Sequence, residues 1–224
     1  MATPSFAVVA EGPCDYEVLR YVLAGFFRDP DIVVVQLQPP VDATGTSKLG
    51  GWHEVLQFLA SDRLVSAFER SDHVVVHIDT DVCEEPQFGV RRRAEDGSEL
   101  STDELIERTV ERLVAQIEPA LYAQFGSRII FAVAVDSVEC WLLPLYYSDG
   151  RREKTTLCIR SLNEALSRHE KFSIDVNYKQ TQYYSRIARA YAKHRRLREC
   201  APHNPSLARL LRALERRFPA DGEG

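Results

Sequence analysis

Four short apolar runs rich in β-branched residues, separated by segments of helical period, restrict this chain more than any other feature. They are Ser5 to Ala10, Asp31 to Leu37 around Ile32-Val33-Val34-Val35, His73 to Asp79, and Arg128 to Val135. Runs this short and this uniformly apolar, bounded by turn or helix-start residues, predict strands covered on both faces. Strand and helix alternating four times predict βαβ units with right-handed crossovers, hence an α/β fold with a largely parallel sheet flanked by helices.

The intervening segments carry their own signals. Gly12-Pro13 opens a helix running through Leu23, because proline suits a first helical turn. From Trp52 to Phe68, the positions of Val55, Leu56, Leu59, Leu64, Val65 and Phe68 predict one amphipathic helix. Thr102 is expected to cap another that runs to about Phe125. Glu84 to Ser101 has no periodicity and predicts a long surface loop. Beyond Pro144 the strand signals end, and helices are expected over Thr155 to His169, Tyr183 to His194, and from Asn204-Pro205-Ser206-Leu207 to Phe218. A chain of 224 residues, 45% hydrophobic, is long enough for one substantial core and a smaller appendage. The division predicted is an α/β domain over residues 1–147 and a helical basic extension over 148–224.

Charge follows the same division. Residues 1–150 hold 11 Lys and Arg against 25 Asp and Glu, whereas 151–217 hold 17 against 6, and the tail adds Asp221 and Glu223. An acidic part joined to a basic one suits a polyanionic partner such as nucleic acid, although solvation and docking of the two parts would produce the same split. No apolar stretch nears the roughly 20 residues that span a bilayer, and the N-terminus has no leader pattern, so a soluble cytoplasmic protein with no membrane partner is expected. The five cysteines, Cys14, Cys83, Cys140, Cys158 and Cys200, form no C-x-x-C pair, which predicts reduced thiols without a zinc knuckle or a disulfide framework.

Two strand ends are loaded with carboxylate: Ala10-Glu11-Gly12 after the first, and Asp79-Thr80-Asp81 at the third. Parallel sheets place their chemistry at the carboxyl edge, so Glu11, Asp79 and Asp81 are expected to converge. Three carboxylates that close would take up protons or separate unless a hard divalent cation, Mg2+ or Mn2+, held them. Glu11 is a metal ligand or a general base, and Gly12 would let a phosphate approach the unpaired N–H groups of the following helix. Asp15 and Glu17 complement the helix dipole. The fourth strand ends on Asp136 with Glu139 beyond it, candidates for a second ion. Lys179, followed by Lys154 and by Arg91, Arg92 and Arg93, is the cation expected to meet phosphate charge. Tyr178 to Tyr184 mixes aromatic and basic residues as a single-stranded nucleic-acid surface would, and as helix packing would. Trp141 is read as core and His77 as structural. The histidines show no ligand spacing, which disfavours zinc. Gly45 to Gly51 lacks the full phosphate-loop string.

The order strand, Glu11-Gly12, helix, strand, helix, strand, Asp79-Thr80-Asp81 resembles the Toprim domain of topoisomerases, primases and OLD-family nucleases, over about residues 5–145. Val8 to Leu19, Asp136-Ser137-Val138-Glu139-Cys140-Trp141-Leu142-Leu143 and Asn204-Pro205-Ser206-Leu207 are similar to small stand-alone Toprim proteins of the RloB type from bacterial phage-defence loci. The resemblance implies divalent-metal phosphodiester chemistry on DNA or RNA. Catalysis would rest on Glu11, Asp79, Asp81 and Lys179, and a partner ATPase or a homodimer is compatible with it. Ile78 to Val82 also resembles the Asp-x-Asp of HAD-like phosphatases, but on the third strand instead of the first. A glycosyltransferase holding manganese through Asp-x-Asp is a more distant resemblance. A non-catalytic subunit that binds nucleic acid or a partner ATPase is the alternative from another class.

Overall fold

The computed structural model describes residues 3–42 and 50–219. Strand β1 (Phe6–Val9) leads through Gly12-Pro13 into helix α1 (Pro13–Phe27), and the chain returns as β2 (Val34–Gln38). Helices α2 (Trp52–Leu59) and α3 (Arg63–Arg70) precede β3 (His73–Asp79), and α4 (Thr102–Val114) and α5 (Pro119–Phe125) precede β4 (Ile129–Ala134). A short α6 (Glu139–Leu142) follows. The remainder is helical: α7 (Cys158–His169), α8 (Thr181–Ala188), α9 (His194–Cys200) and α10 (Pro205–Arg217).

The four strands are all parallel, in the order β2-β1-β3-β4, so the fold is the α/β class that the alternation predicts. Period-2 alternation divides the sheet between two apolar layers. Phe6, Val8, Val75, Ile130 and Ala132 face α1, α6 and the C-terminal helices. Ala7, Val9, Val74, Val76, Ile78 and Val133 face α2, α3 and α4. Residues beyond 147 are therefore helical as expected, but they are no appendage, because Leu162, Tyr184, Tyr191, Leu207 and Leu214 share one core with β1 and α1.

Asn204 explains how that docking is fixed. Its Oδ1 accepts the Leu207 N–H at 3.0 Å, capping α10, and the Ser206 hydroxyl at 2.9 Å. Ser206 Oγ in turn accepts the indole N–H of Trp141 at 2.8 Å, so the fully buried tryptophan is core with its donor satisfied. On the other side of this layer, α1 meets the 3-10 turn Arg189–Ala192 so closely that a Cβ on Gly25 would lie 1.8 Å from the Tyr191 carbonyl oxygen. Backbone cannot yield as a flexible side chain does. Gly25→Ala is expected to destabilise the chain by about 3 kcal/mol or more, lowering Tm by roughly 6–12 °C in a circular-dichroism melt; an unchanged Tm would refute this contact.

Several sequence expectations are corrected. The helix predicted over Trp52 to Phe68 is two helices, broken where the Ser61 hydroxyl donates to the Phe58 carbonyl and competes with the helical ladder. The break shifts the helical phase, leaving Leu64, Ala67 and Phe68 inside and Val65 36% exposed. The helix predicted over 102–125 is also two, since Pro119 cannot occupy a helix interior and instead opens α5, capped by the Glu118 carboxylate. Ser101, not Thr102, caps α4, in a reciprocal box with Glu104. The helix expected over 183–194 spans parts of α8 and α9, divided by the 3-10 turn at 189–192. Segment 84–101 is a loop without helix or strand, as expected, and it is anchored: Phe88 and Val90 are buried, and Arg112 donates to the carbonyls of Phe88 and Gln87. Finally, two of the five cysteines are not thiols, for Cys140 and Cys158 form a disulfide that spacing along the chain could not disclose. Among the described residues, no helix is long and apolar enough to cross a membrane.

Candidate metal centre

From β1 the chain crosses outward to β2, then back past β1 to β3, so β1 and β3 are neighbours at the point where the winding reverses. Crevices at the carboxyl ends of such strands are where open α/β sheets bind ligands. Glu11 lies two residues beyond β1 and Asp79 is the last residue of β3. They meet directly, with Glu11 Oε1 accepting the Asp79 N–H at 2.7 Å. A cleft of about 260 Å³ opens there, lined by Glu11, Gly12, Pro13, Cys14, Asp15, Asp79, Asp81, Val82 and Lys179.

The carboxylates pay for their proximity in desolvation. Burial pushes the Glu11 carboxyl up to about 8, with the charges of Asp15 and Asp81 adding to the shift. Burial likewise raises Asp15 to about 7, and Asp79 well above the usual carboxylate range, reinforced by Asp15, Glu11, Glu139 and Asp81. Asp81 is raised by burial and by Asp136. Asp15 exceeds its expected dipole role, because its carboxylate accepts the Gly12 N–H at 2.8 Å and forms a wall of the cleft.

Glu139 is differently placed. It is fully buried, its Oε1 2.7 Å from Lys179 Nζ and accepting the Tyr184 hydroxyl. Burial, the largest influence, would raise its pKa, but the Lys179 charge together with hydrogen bonding from Lys179 and Tyr184 outweighs it and holds the carboxyl below the ordinary value. Burial disfavours the Lys179 cation, yet Glu139, with Asp79 and Asp15 adding to it, more than compensates and raises its pKa. Asp136, with φ 66°, lies beside Cys158 at the start of α7, and its carboxyl is raised by burial, an effect that the Arg92 charge and the nearby backbone of Cys158 and Leu157 only partly oppose. The two acids expected to share a second ion are therefore committed to different partners. Among the described residues, the group whose ligating atoms all lie within 4.8 Å of one another is Asp136, Cys140 and Cys158, and the cleft acids do not approach that closely as a set.

Of the arginine run, Arg92 alone reaches this edge, its Nη2 donating to the Thr80 carbonyl at 2.7 Å. Arg93 turns to the Gly97 carbonyl and Glu99, and Arg91 is exposed. Lys154 donates to Ser161 Oγ, away from the cleft. Much of the basic C-terminal charge is spent in surface pairs, Arg186–Glu170, Arg195–Glu199, Arg198–Glu215 and Arg209 with Asp103 and Glu107, the last docking α10 on α4. Tyr184 is packed in the core, and Tyr178 is exposed. The comparison with a phosphate loop falls mostly on 43–49, outside the described residues. Gly50 and Gly51 belong to the site for another reason. A Cβ at Gly50 would stand 1.9 Å from the Glu11 carbonyl oxygen, which accepts the Gly51 N–H at 2.8 Å.

His77 is buried beside Asp79, its Nε2 3.7 Å from Asp79 Oδ1, its ring edge-on to Trp141. Burial pushes its pKa down to about 3, so the pair is no ion pair at neutral pH, and neither ring nitrogen has a hydrogen-bond partner. Asp79 Oδ1 and Glu139 Oε2 are also buried without partners. Hard oxygen donors, one of them orphaned at the cleft, fit a divalent cation of the magnesium type.

These shifts fix the pH dependence without a metal. Glu11, Asp15 and Asp79 have raised folded-state pKa values, so their contribution favours folding at low pH and is lost as pH rises from about 4 to about 8. Glu139, lowered, contributes above its ordinary value of 4.5 and loses that contribution as pH falls below it. In chelator, Tm is expected to peak near pH 5 and to drop by roughly 10 °C towards pH 8.5, and Mg2+ should reverse the drop. A Tm that rises from pH 5 to 8.5 in chelator would contradict it. No family model, curated protein or solved structure matches this chain.

Proposed function

We infer that the chain is a Mg2+-dependent (or Mn2+-dependent) Toprim-type nuclease, or a related phosphoryl-transfer enzyme, acting on nucleic acid in the cytoplasm in anti-phage defence. The observation that carries this reading is the gathering of Glu11, Asp15, Asp79 and Asp81 in one desolvated cleft at the β1–β3 reversal. Glu11, Asp79 and Asp81 would hold the ion, which when bound supplies charge neutralisation at a phosphodiester. The protein's own groups divide the remaining work. N–H groups in the first turn of α1 beyond Gly12, whose own N–H Asp15 accepts, would meet a phosphate, and Glu11, where it is not a ligand of the ion, would take a proton from the attacking hydroxyl or water. Lys179 lines the same cleft and brings positive charge to the transferring group.

A second reading, a non-catalytic subunit binding nucleic acid or a partner ATPase, is favoured by one observation. The cleft acids do not stand as close together as three ligands of a single ion would. Plasmid, single-stranded DNA and RNA incubated with the protein in Mg2+, Mn2+ or chelator separate the two. Cleavage in metal that chelator stops supports the nuclease. Binding without cleavage in either metal overturns it.

A further inference from the structure

Outside the acidic cleft, Cys140–Cys158 links the acidic segment covalently to the basic one. Cys140 directly follows Glu139, and Cys158 is the first residue of α7. Asp136, in the turn before α6, lies against the same link, one of its carboxylate oxygens within 4.8 Å of both sulfurs. From its middle, α7 grips the strap that carries Lys179, since Asn163 accepts the Ile174 N–H at 2.7 Å and donates to the Ile174 carbonyl at 2.8 Å. The strap then comes back to α6 through the Lys179–Glu139 contact of 2.7 Å. Residues 158–179 are thus anchored at both ends on two adjacent residues, one anchor covalent and one ionic.

We propose that Cys140–Cys158 is a reversible thiol–disulfide site, exchanged by small thiols of the glutathione class, that sets how firmly the Lys179 strap closes on the acidic cleft. Both sulfurs are buried. The residues just before Cys158 are not: Thr156 is exposed, and Leu157 is 72% exposed at φ 52°, a left-handed conformation unfavourable for leucine. Opening of that strained turn gives a thiolate access. Attack on Cys158 breaks the S–S bond, Cys140 leaves and takes a proton, and a mixed disulfide remains. A second small thiol attacks that mixed disulfide, freeing Cys158 as a thiol and releasing one small-molecule disulfide, so two thiols supply the two electrons. Cys14, Cys83 and Cys200 are free and buried in the same molecule, so the exchange concerns this one pair.

This inference does not rest on the nuclease reading, and its test uses neither substrate nor metal. The full chain is equilibrated in glutathione buffers from fully reduced to fully oxidised. Thiols are then counted by alkylation and mass spectrometry under denaturing conditions, and hydrogen exchange is followed over 158–180. Three alkylated cysteines in oxidised buffer, five in reduced buffer and exchange over 171–180 about tenfold faster on reduction are expected. Cys200→Ser should keep this redox response and Cys158→Ser should lose it. If Cys158→Ser fails to fold, the unmodified chain still decides. Five alkylated cysteines in every buffer would overturn the proposal, as would exchange that ignores reduction. Stoichiometric zinc on the reduced chain, shielding both sulfurs beside Asp136, would overturn it too and make the cluster a metal site.

Discussion

Asp79→Asn is expected to lower metal-dependent cleavage of nucleic acid by about 10³-fold or more, equivalent to some 4 kcal/mol of transition-state stabilisation, while raising the Tm of the metal-free protein. The substitution keeps the shape of the side chain and the main-chain N–H that Glu11 accepts, and removes only the charge. Asp79 is the most crowded acid of the cleft, raised by burial and then by four neighbouring carboxylates, so its ionisation works against folding at neutral pH. The amide relieves that cost and loses the anionic donor. Cleavage and thermal melts with and without Mg2+ therefore move in opposite directions. Retention of both cleavage and Mg2+-induced stabilisation in the variant would remove Asp79 from the site.

The second large effect concerns Lys179 and Glu139. Lys179→Met leaves a fully buried carboxylate without its cation, still accepting the Tyr184 hydroxyl. Stranding a buried charge costs about 3–5 kcal/mol, discounted here to about 2–3 because the Lys179 side chain remains 39% exposed and its charge is screened by water. A Tm loss of roughly 5–10 °C follows. Replacing both partners, as Glu139→Leu with Lys179→Met, should recover most of that loss, since a buried pair exchanged for apolar groups of similar volume is often neutral. Cleavage should not recover with it, because the cation over the cleft is still missing. Recovery of both would make Lys179 a purely structural residue, and recovery of neither would mean that the buried Tyr184 hydroxyl, which loses its Glu139 acceptor in the double variant, costs as much as removing the pair returns.

How much of this was legible in the chain depended on whether the cause was local. The four strands and their parallel order follow from runs of Val and Ile between helical periods, a pattern each segment carries by itself. The approach of Glu11 and Asp79 was equally readable, because both close strands that any doubly wound order brings near one reversal. Helix breaks were harder. Pro119 marks one that the expected helix over 102–125 ran straight through, and the stop at Ser61 arises from a hydroxyl bonding back to Phe58, which periodicity cannot reveal. Asp136 and Glu139 illustrate the limit: three residues apart, they look like one ligand set, yet one lies beside Cys158 at the start of α7 and the other pairs with Lys179. Both partners come from beyond residue 150. Gly50, seated against the Glu11 carbonyl, left no trace in a single sequence beyond being glycine.

The covering of one sheet face by α8, α9 and α10 has a consequence for how this molecule could be rearranged. A version trimmed to its acidic half would lay bare Phe6, Val8 and Ile130 and strip the indole of Trp141 of its acceptor, Ser206. Oppositely charged halves suggest interchangeable modules, but neither could be grafted elsewhere intact. Any recombination point has to fall outside residues 5–218, or exchange both sides of the interface together.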